Sequence, residues 1–341
     1  MKYITFTVPC YNSASYMERC IHTLLAGGDL VEIIIVDDGS TDCTGEIADH
    51  YAKDYPDIVK VIHQENGGHG AGVNAGLAAA TGRYFKVVDS DDWLDKDDLQ
   101  MLLQQICCWE ATGAEPDLII CNYLYDHLYE HTVKPMAYRN VFRPGRICSF
   151  EDSRWFGPSQ YLVMHALWYR TEVLRRSGVK LPRHTFYVDN LFANQPLPYV
   201  ETLCYLDLDI YHYFLGREDQ SVNEKVLMRR IDQQIRVTKL VALATDLEKL
   251  SHRQPKLARY LIRNISIMMS ISCIHLLLIG TPQAKRQRED LWHYIRVHNP
   301  KLYHYLKYKT LSGFTYLPGG KLGDVLTLSG YRAAKHIYQF N

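Results

Sequence analysis

The sequence lacks the residue patterns that mark several common classes of protein. Its nine cysteines include no CxxC pair and no zinc-type spacing, which argues against a structural zinc site or a disulfide scaffold. Reduced, mostly buried thiols are expected instead, as in a cytoplasmic protein. The formal net charge is zero, so the whole molecule carries no electrostatic indication of a nucleic-acid partner.

Long apolar runs are also missing. The N-terminal segment MKYITFTVPCYN has a short apolar run that leads directly into a folded pattern, and we predict no signal peptide there. The most apolar later stretch, residues 265–279, also contains Ser, Cys and His. Because a membrane-spanning helix needs about 20 apolar residues, this shorter stretch is predicted to be a buried helix.

The charge is unevenly distributed along the 341 residues. Residues 283–341 carry ten Lys or Arg and three Asp or Glu, whereas the first 282 residues carry 28 and 35 of these. The neutral total therefore combines an acidic body with a basic tail. A composition of 47% apolar and 22% charged residues is typical of a folded protein. The length predicts two domains, or one large domain with an appendage.

The first 125 residues alternate between short β-rich runs and segments with helical spacing. The predicted strands cover residues 3–8, 31–38, 58–64, 83–89 and 117–123, and the predicted helices cover 15–25, 41–55 and 69–82. Strands that alternate with helices form a mainly parallel sheet covered by helices on both faces. The predicted fold class is therefore α/β.

Each of the first four predicted strands ends in a polar or glycine-rich segment. These segments are PCYN (9–12), DDGSTD (37–42), ENGGHGAGVN (65–74) and DSDD (89–92). In open parallel sheets, ligands bind outside the carboxyl ends of the strands. Four such ends at one edge of the sheet predict a nucleotide-type crevice.

From about residue 220 the pattern becomes entirely helical. Residues 224–250 carry a helical stripe of apolar side chains, and residues 256–279 and 284–297 also have helical spacing. The stripe consists of Leu227, Ile231, Ile235, Val241 and Leu247. We therefore predict an α/β domain over residues 1–220 and an all-helical C-terminal region over residues 221–341.

A dinucleotide-binding dehydrogenase is disfavoured. The glycine-rich stretch 67–76 contains no GxGxxG in the required frame and follows the third strand rather than the first. The first turn, VPCYN, has no glycine, so it lacks the backbone cradle that a pyrophosphate needs.

Taken together, the four strand ends resemble those of the family 2 glycosyltransferases, which have the GT-A fold. The resemblance is carried by TVPCYNSASYMERCIHTLL, EIIIVDDGSTDCTGEIADHYA, ENGGHGAGVNAGLAAATGRYFKVVDSDDWLD and FYVDNLF, and it covers roughly residues 3–220. It implies an inverting, metal-dependent enzyme that moves a sugar from a UDP-sugar to a saccharide or lipid-linked saccharide. Many relatives of this kind build cell-surface polysaccharides.

The resemblance implies a set of donor-binding residues at the first three strand ends. Asp37 is interpreted as fixing its turn, and Ser40, Thr41 or Asp42 as capping the next helix. This chain has Val73 where many family members carry an arginine near the phosphates, and His69 is either a replacement donor or a surface histidine. The residues that match the donor site are Pro9, Tyr11, Asn12, Asp38, Gly67, Gly68, Asn74 and Asp89.

Asp89 and Asp91 match the DxD motif of the family. By resemblance, Asp91 binds a Mg²⁺ or Mn²⁺ ion that bridges the two donor phosphates, and Asp89 faces the ribose and the metal. The sequence leaves open which of the two touches the ion. Asp92 is predicted to cap the following helix.

Asp189, in FYVDNLF, matches the general base of inverting members, although Val188 replaces the usual glutamate. Such a base takes a proton from the acceptor hydroxyl. His212 is either a third metal ligand or a core or solvent histidine, and Arg217 with Gln220–Ser221 is a candidate lid over the pyrophosphate. Trp155, Phe156 and Trp168 are candidates for an acceptor site or for the core.

The basic tail admits two interpretations. Its lysines and arginines, together with many aromatic side chains, suit peripheral contact with an anionic membrane, which would localise the protein to the cytoplasmic face of the cell membrane. The alternative is a helical bundle with a solvated basic face. Two other functions stay open: a sugar-nucleotide nucleotidyltransferase, and a non-catalytic nucleotide-sugar-binding protein.

Overall fold

A computed structural model describes residues 1–127, 132–158, 160–216, 224–317 and 320–338, without the side chains of residues 321 and 333–338. The chain forms two compact units, Met1–Gly216 and Arg217–Asn341. The first contains all of the described strands together with six α-helices, and the second is helical.

The strands of the first unit form two sheets. The strands are β1 (Ile4–Cys10), β2 (Val31–Asp37), β3 (Val59–His63), β4 (Tyr84–Val87), β5 (Trp93–Leu94), β6 (Leu118–Ile120), β7 (Tyr123–His127), β8 (Thr132–Met136), β9 (Ile147–Cys148), β10 (Leu167–Arg170), β11 (Leu203–Tyr205) and β12 (Tyr211–Leu215). The larger sheet has the order β3-β2-β1-β4-β10-β6-β11-β9, and the smaller one has the order β5-β12-β7-β8.

Six helices accompany these sheets. They are α1 (Met17–Leu24), α2 (Thr44–Asp54), α3 (His69–Ala79), α4 (Lys96–Thr112), α5 (Thr171–Ser177) and α6 (Asp189–Asn194). The four strands β3, β2, β1 and β4 are parallel, whereas β10 runs antiparallel to both β4 and β6. The predicted α/β class, with a sheet flanked by helices and a helical C-terminal region, is confirmed. The predicted strands and helices of residues 3–89 occur within a few residues of their expected bounds.

The central strands form because their side chains are buried on both faces. Every residue of β1 and β2 is buried, and β-branched residues dominate them. Helix α3 lies unusually close to β1, since a Cβ atom added at Gly76 would lie 1.8 Å from Oγ1 of Thr7. This close packing brings the glycine-rich loop at the start of α3 next to the end of β1.

The predicted role of Asp92 as a helix cap is wrong. Helix α4 begins later, and Asp95 caps it by accepting hydrogen bonds from the backbone N–H groups of Asp97 and Asp98, both at 2.9 Å. The intervening Trp93–Leu94 forms β5 and pairs with β12. Because this short strand uses the two residues after Asp92, the helix starts one turn later than expected.

The second unit is built around one long helix. Its helices are α7 (Glu224–Arg229), α8 (Ile231–Leu243), α9 (Leu247–Arg253), α10 (Pro255–Ile279), α11 (Pro282–His298), α12 (Pro300–Lys309) and α13 (Lys321–Tyr338). The predicted stripe over residues 224–250 is divided among three helices, and Asp246 caps the third by accepting from the N–H of Lys249. Breaks at Arg230 and Ala244–Asp246 therefore interrupt the segment 224–250, which the apolar spacing had predicted to be continuously helical.

Helix α10 contains the apolar stretch that was predicted to be buried. Among the described residues it alone is long and apolar enough to cross a membrane, by length and composition only, and 56% of its most apolar window is buried. Its buried side chains include Leu261, Met269 and Leu276. This is weak evidence for a membrane span, because the buried core helix of a globular unit passes the same test.

Candidate active site

The carboxylate of Asp38 ties the end of β2 to the glycine-rich loop. Its oxygens accept hydrogen bonds from the backbone N–H of Gly67 at 2.9 Å, the N–H of Gly68 at 2.7 Å and the side chain of Gln64 at 2.6 Å. Asp38 is only 2% exposed. Gly68 has φ 81°, a left-handed conformation that favours glycine. The predicted contact of Asp38 with the donor stays a prediction, and the structure gives this residue a loop-holding role.

Asp37 fixes the turn after β2, as interpreted from the sequence. It accepts hydrogen bonds from the N–H of Ser40, and its second oxygen lies 3.0 Å from Nδ1 of His63. Asp42 accepts from the N–H of Thr44 at 3.0 Å, which satisfies a backbone donor in the first turn of α2.

The end of β1 is joined to the same turn by Asn12. This residue has φ 51°, its N–H donates to Oγ of Ser40 at 3.0 Å, and its Oδ1 accepts from the N–H of Thr41 at 2.9 Å. The neighbouring Tyr11 is 52% exposed, so its ring is available to a ligand. Pro9 is buried within β1, close to Gly72 of α3.

Asn74 connects α3 to the segment that leads into Asp189. Its amide donates to the carbonyl of Leu181 at 2.8 Å, and its Oδ1 accepts from the N–H of Leu181 at 3.0 Å. The N–H of His184 also donates to the carbonyl of Gly67 at 2.6 Å. These bonds hold the segment 181–188 against the glycine-rich loop. The predicted contact of Asn74 with the donor stays a prediction.

Asp189 is the first residue of α6. Burial raises the pKa of its carboxyl above the ordinary value, and the nearby Asp89 acts in the same direction, while His69 opposes both. A raised pKa suits a carboxylate that accepts a proton near neutral pH. Asp189 therefore lies in the electrostatic field of the acidic turn after β4. Its role as the general base stays a prediction.

Asp89 and Asp92 have different partners within that acidic turn. Oδ1 of Asp89 lies 2.8 Å from Nε2 of His69. Asp92 is 1% exposed, and its two oxygens accept from the hydroxyl of Tyr211 at 2.5 Å and the N–H of Phe214 at 2.8 Å. Burial and the neighbouring Asp91 and Asp89 raise the pKa of Asp92 well above its ordinary value. Asp92 thus attaches β12 to the acidic turn.

His165 belongs to the same cluster, although it was not singled out from the sequence. One of its ring nitrogens lies within 4.8 Å of carboxylate oxygens of Asp89 and Asp92. Its ring is placed against Tyr211 and Tyr213, at centroid distances of 4.7 and 4.4 Å. Burial lowers the pKa of His165 to about 4, so the imidazole is neutral at pH 7. The only signal in the sequence was a histidine within the aromatic stretch 155–170.

Lys86 of β4 holds the segment that carries His165. The buried ammonium group donates to the backbone carbonyls of Met164 at 3.0 Å, of His165, and of Leu167 at 3.5 Å. Burial lowers the pKa of Lys86 to about 7. Backbone oxygens supply the polar partners that a buried amine requires.

The other candidates from the sequence lie elsewhere. His212 stacks on Trp93 at 5.0 Å, and its Nδ1 lies 3.3 Å from a carboxylate oxygen of Asp126. Trp168 is fully buried and packs on Phe6, so it belongs to the core, whereas Trp155 is 79% exposed. The candidate lid residues Arg217 and Gln220–Ser221 lie outside the described residues.

The donor atoms of the cluster fit a divalent cation. Among the described residues, the ligand atoms that lie within 4.8 Å of one another come from Asp89, Asp92 and His165, and Asp91 is not part of this set. Carboxylate oxygens are ligands that Mg²⁺ and Mn²⁺ take. The role of Asp91 as a metal ligand stays a prediction. Nδ1 of His165 is buried and has no hydrogen-bond partner among the described residues. An unsatisfied buried polar atom costs roughly 1–3 kcal/mol. The set of ligands is therefore compatible with a metal ion.

Comparison with known sequences identifies the family. The model of the family described as glycosyl transferase family 2 matches residues 5–178, which is half of the chain. The chain belongs to glycosyl transferase family 2. A putative glycosyltransferase of this kind, EpsH of Bacillus subtilis (strain 168), is 32% identical over 225 residues, or 62% of this chain. The chain spans 60% of the length of EpsH and 38% of that of GlyG from Streptococcus pneumoniae.

Solved structures support the fold of this family 2 member. The crystal structure of S. aureus TarS 1-349 in complex with UDP-GlcNAc matches with a TM-score of 0.70 and 21% identity, over 98% of this chain and 92% of that one. The mannosyltransferase PcManGT of Pyrobaculum calidifontis, in complex with GDP-Man and Mn²⁺, matches with a TM-score of 0.50 and 16% identity, over 96% and 88% of the chains. At these identities the likeness shows the fold alone.

Proposed function

We propose that the chain is an inverting, metal-dependent glycosyltransferase that moves a sugar from a UDP-sugar to a hydroxyl of a saccharide or lipid-linked saccharide. The observation that carries this proposal is the arrangement of Asp89, His69 and Asp189, which combines an acidic turn for the metal with a separate, half-buried carboxylate whose pKa is raised. The UDP-GlcNAc bound to TarS supports a UDP-sugar as donor. The proposed cation is Mg²⁺ or Mn²⁺, held by Asp89 and Asp91.

The chemistry needs one base and one stabilised leaving group. Asp189 takes the proton of the acceptor hydroxyl while the hydroxyl oxygen attacks the anomeric carbon, and the bond from that carbon to the diphosphate oxygen breaks. Attack from the side opposite the leaving group inverts the anomeric configuration and requires no enzyme nucleophile. A divalent cation, when bound, neutralises charge on the diphosphate. His69 adds a positive charge beside Asp89 when it is protonated.

The experiment combines ligand binding with two substitutions. UDP should raise the Tm of the protein in the presence of Mn²⁺ and less so after chelation. Asp189→Asn and Asp91→Asn should each lower the transfer rate by a factor of about 100 or more. Asp49→Asn, at an exposed carboxylate that contacts His63, is the matched control and should keep the wild-type rate.

Two results would contradict the proposal. One is wild-type transfer by folded Asp189→Asn and Asp91→Asn variants, and the other is no stabilisation by any nucleotide with or without metal. The nucleotidyltransferase alternative requires a glycine-rich loop with Arg or Lys after β1, which PCYN does not provide. A screen of donor hydrolysis across UDP-sugars would identify the sugar.

A second part of the proposal concerns the helical unit, which we infer contacts the cytoplasmic face of an anionic membrane. Exposed apolar side chains lie on α13 and on the short 3-10 helix Leu311–Tyr316 that precedes it. The hydroxyl of Thr327 in α13 donates a hydrogen bond to the carbonyl of Phe314 at 2.8 Å. Each of these side chains is more than half exposed: Leu311, Phe314, Leu322, Val325 and Leu326. The surplus of basic residues over 283–341 favours anionic lipid headgroups.

Vesicle sedimentation tests this contact. The protein should bind vesicles that contain phosphatidylglycerol more strongly than vesicles of phosphatidylcholine, and Val325→Glu should weaken that binding. Val297→Glu, at an exposed valine of α11, serves as the control. Equal sedimentation of wild type and Val325→Glu would exclude this face.

A further inference from the structure

We propose that His165 is a ligand of the divalent cation in this site, and that its imidazole makes the site favour Mn²⁺ over Mg²⁺. The inference rests on the proposed function and adds to it a residue and a metal preference. It concerns a histidine on the segment before β10, far in sequence from the DxD motif and from the general base.

The first argument is distance. A ring nitrogen of His165 and carboxylate oxygens of Asp89 and Asp92 all lie within 4.8 Å of one another. Metal–ligand bonds of about 2.1 Å place ligand atoms on one ion roughly 3.0 to 4.2 Å apart. Small side-chain rotations therefore bring Asp89 and His165 onto one ion. Asp92 is less suited, because both of its oxygens already accept hydrogen bonds from β12.

The second argument is that His165 is fixed before any ion binds. Its ring lies against Tyr211 and Tyr213, and Lys86 binds the backbone carbonyl of His165 itself. Its Nδ1 is buried and has no hydrogen-bond partner among the described residues. A histidine held in this way loses little side-chain entropy when it binds a metal.

The third argument is that the neighbouring histidines have other partners. His69 already pairs with the carboxylate of Asp89. His212 stacks on Trp93 and lies beside Asp126 in the smaller sheet. Within the described residues, the cluster that could hold a metal contains His165 and no other histidine.

The metal preference follows from the nature of the ligand. Mg²⁺ takes oxygen ligands and keeps several waters, whereas transition-metal ions gain more from an imidazole nitrogen. A site with Asp89, Asp91 and the donor phosphates alone would distinguish little between the two ions. Addition of one imidazole shifts the balance towards Mn²⁺.

Electron spin-echo spectroscopy of the Mn²⁺–UDP complex tests the proposal directly. The wild-type complex should show a ¹⁴N coupling to Mn²⁺, and ¹⁵N-histidine labelling should replace it with a ¹⁵N coupling. His165→Gln should abolish this coupling and lower the ratio of Mn²⁺ to Mg²⁺ affinity about tenfold. His212→Gln, at a histidine that stacks on Trp93 in the smaller sheet, is the matched control that should retain the coupling.

The labelled wild-type protein keeps the test decisive even if His165→Gln does not fold. A Mn²⁺–UDP complex without histidine coupling, or a coupling lost in His69→Gln or His212→Gln but kept in His165→Gln, would overturn the assignment while the proposed function stands. Failure of Mn²⁺ and UDP to bind at all would instead contradict the proposed function.

Discussion

Nε2 of His69 lies 2.8 Å from Oδ1 of Asp89, and this contact joins the first turn of α3 to the acidic turn after β4. Burial alone would lower the pKa of His69, but the charge and hydrogen bond of Asp89 outweigh it and raise the pKa. When protonated, His69 therefore places a positive charge beside the acidic turn.

His69→Gln should remove a pH-dependent stabilisation of the metal-free protein. The pKa of His69 is raised in the folded protein, so the stability that His69 contributes is fully present below its ordinary pKa of 6.5. That stability is lost as the pH rises through the pKa of the folded state. The pKa of Asp89 is lowered in the folded protein, so the stability that Asp89 contributes is fully present above its ordinary pKa of 3.8. Urea unfolding should therefore separate wild type from variant most between about pH 4 and 6.5.

The matched control for this pair is His50→Gln, which removes an exposed histidine on α2 that lies 3.4 Å from Asp54. The control should show little change in unfolding free energy at any pH. A constant difference between wild type and His69→Gln from pH 5 to pH 9 would contradict the pairing.

Asp38→Asn should destabilise the protein by about 1–3 kcal/mol, because an amide cannot accept on both sides as the carboxylate does. One N–H of Gly67 or Gly68 would then face an NH₂ group instead of an oxygen. Urea titration without ligand measures this loss, and calorimetry with UDP measures donor affinity. Unchanged stability together with lost UDP binding would favour direct contact with the donor over the loop-holding role.

The sequence predicted residues 3–89 well because each element there carries its own local signal. Strand β2, for example, is an apolar run interrupted only by Glu32, it ends at Asp37, and Gly68 precedes α3. Asp89 and Asp189 were predicted as site residues because they match short motifs of the family, although Val188 departs from the usual pattern beside Asp189. Each of these patterns involves residues that are close together in the sequence, so it can be recognised without knowledge of the fold.

The rest of the site depends on contacts between distant residues. β10 is only four residues long, and its antiparallel pairing with β4 leaves no local pattern. His165 reaches the acidic turn because Lys86, 79 positions earlier, binds its backbone carbonyl. Asp92 was misassigned for a similar reason, since its partners Tyr211 and Phe214 lie on β12.

Lys86→Met should disturb the segment before β10. The carbonyls of Met164 and His165 would lose a donor in a buried environment, and we expect the unfolding free energy at neutral pH to fall by roughly 1–3 kcal/mol. Mn²⁺ affinity should fall as well, because His165 would no longer be held in place. Urea titration and metal-binding calorimetry measure the two effects.

The pH dependence gives a separate check on Lys86. Burial lowers its pKa from 10.5 to about 7, so the unfolded chain binds the proton more tightly than the folded one. Between these values the stability of the wild type should therefore rise with pH relative to that of Lys86→Met. Parallel stability curves from pH 7 to pH 10 would show that the amine is charged in the folded protein throughout.

Gly76→Ala should be among the most damaging single-methyl additions in the chain. The new Cβ would lie 1.8 Å from Oγ1 and 2.6 Å from Cβ of Thr7, so α3 would have to move away from β1. Overpacking of this kind costs about 1–3 kcal/mol or more. Because α3 begins with His69, the displacement should also weaken UDP binding.

The control is the same substitution at Gly330 of α13, where an added Cβ meets nothing within 4 Å. Alanine is the better helix former, so Gly330→Ala should stabilise its helix by up to about 1 kcal/mol and leave UDP binding unchanged. Urea titration followed by UDP calorimetry compares the two variants. Equal stability of Gly76→Ala and wild type would mean that α3 and β1 are separated by more than the structure indicates.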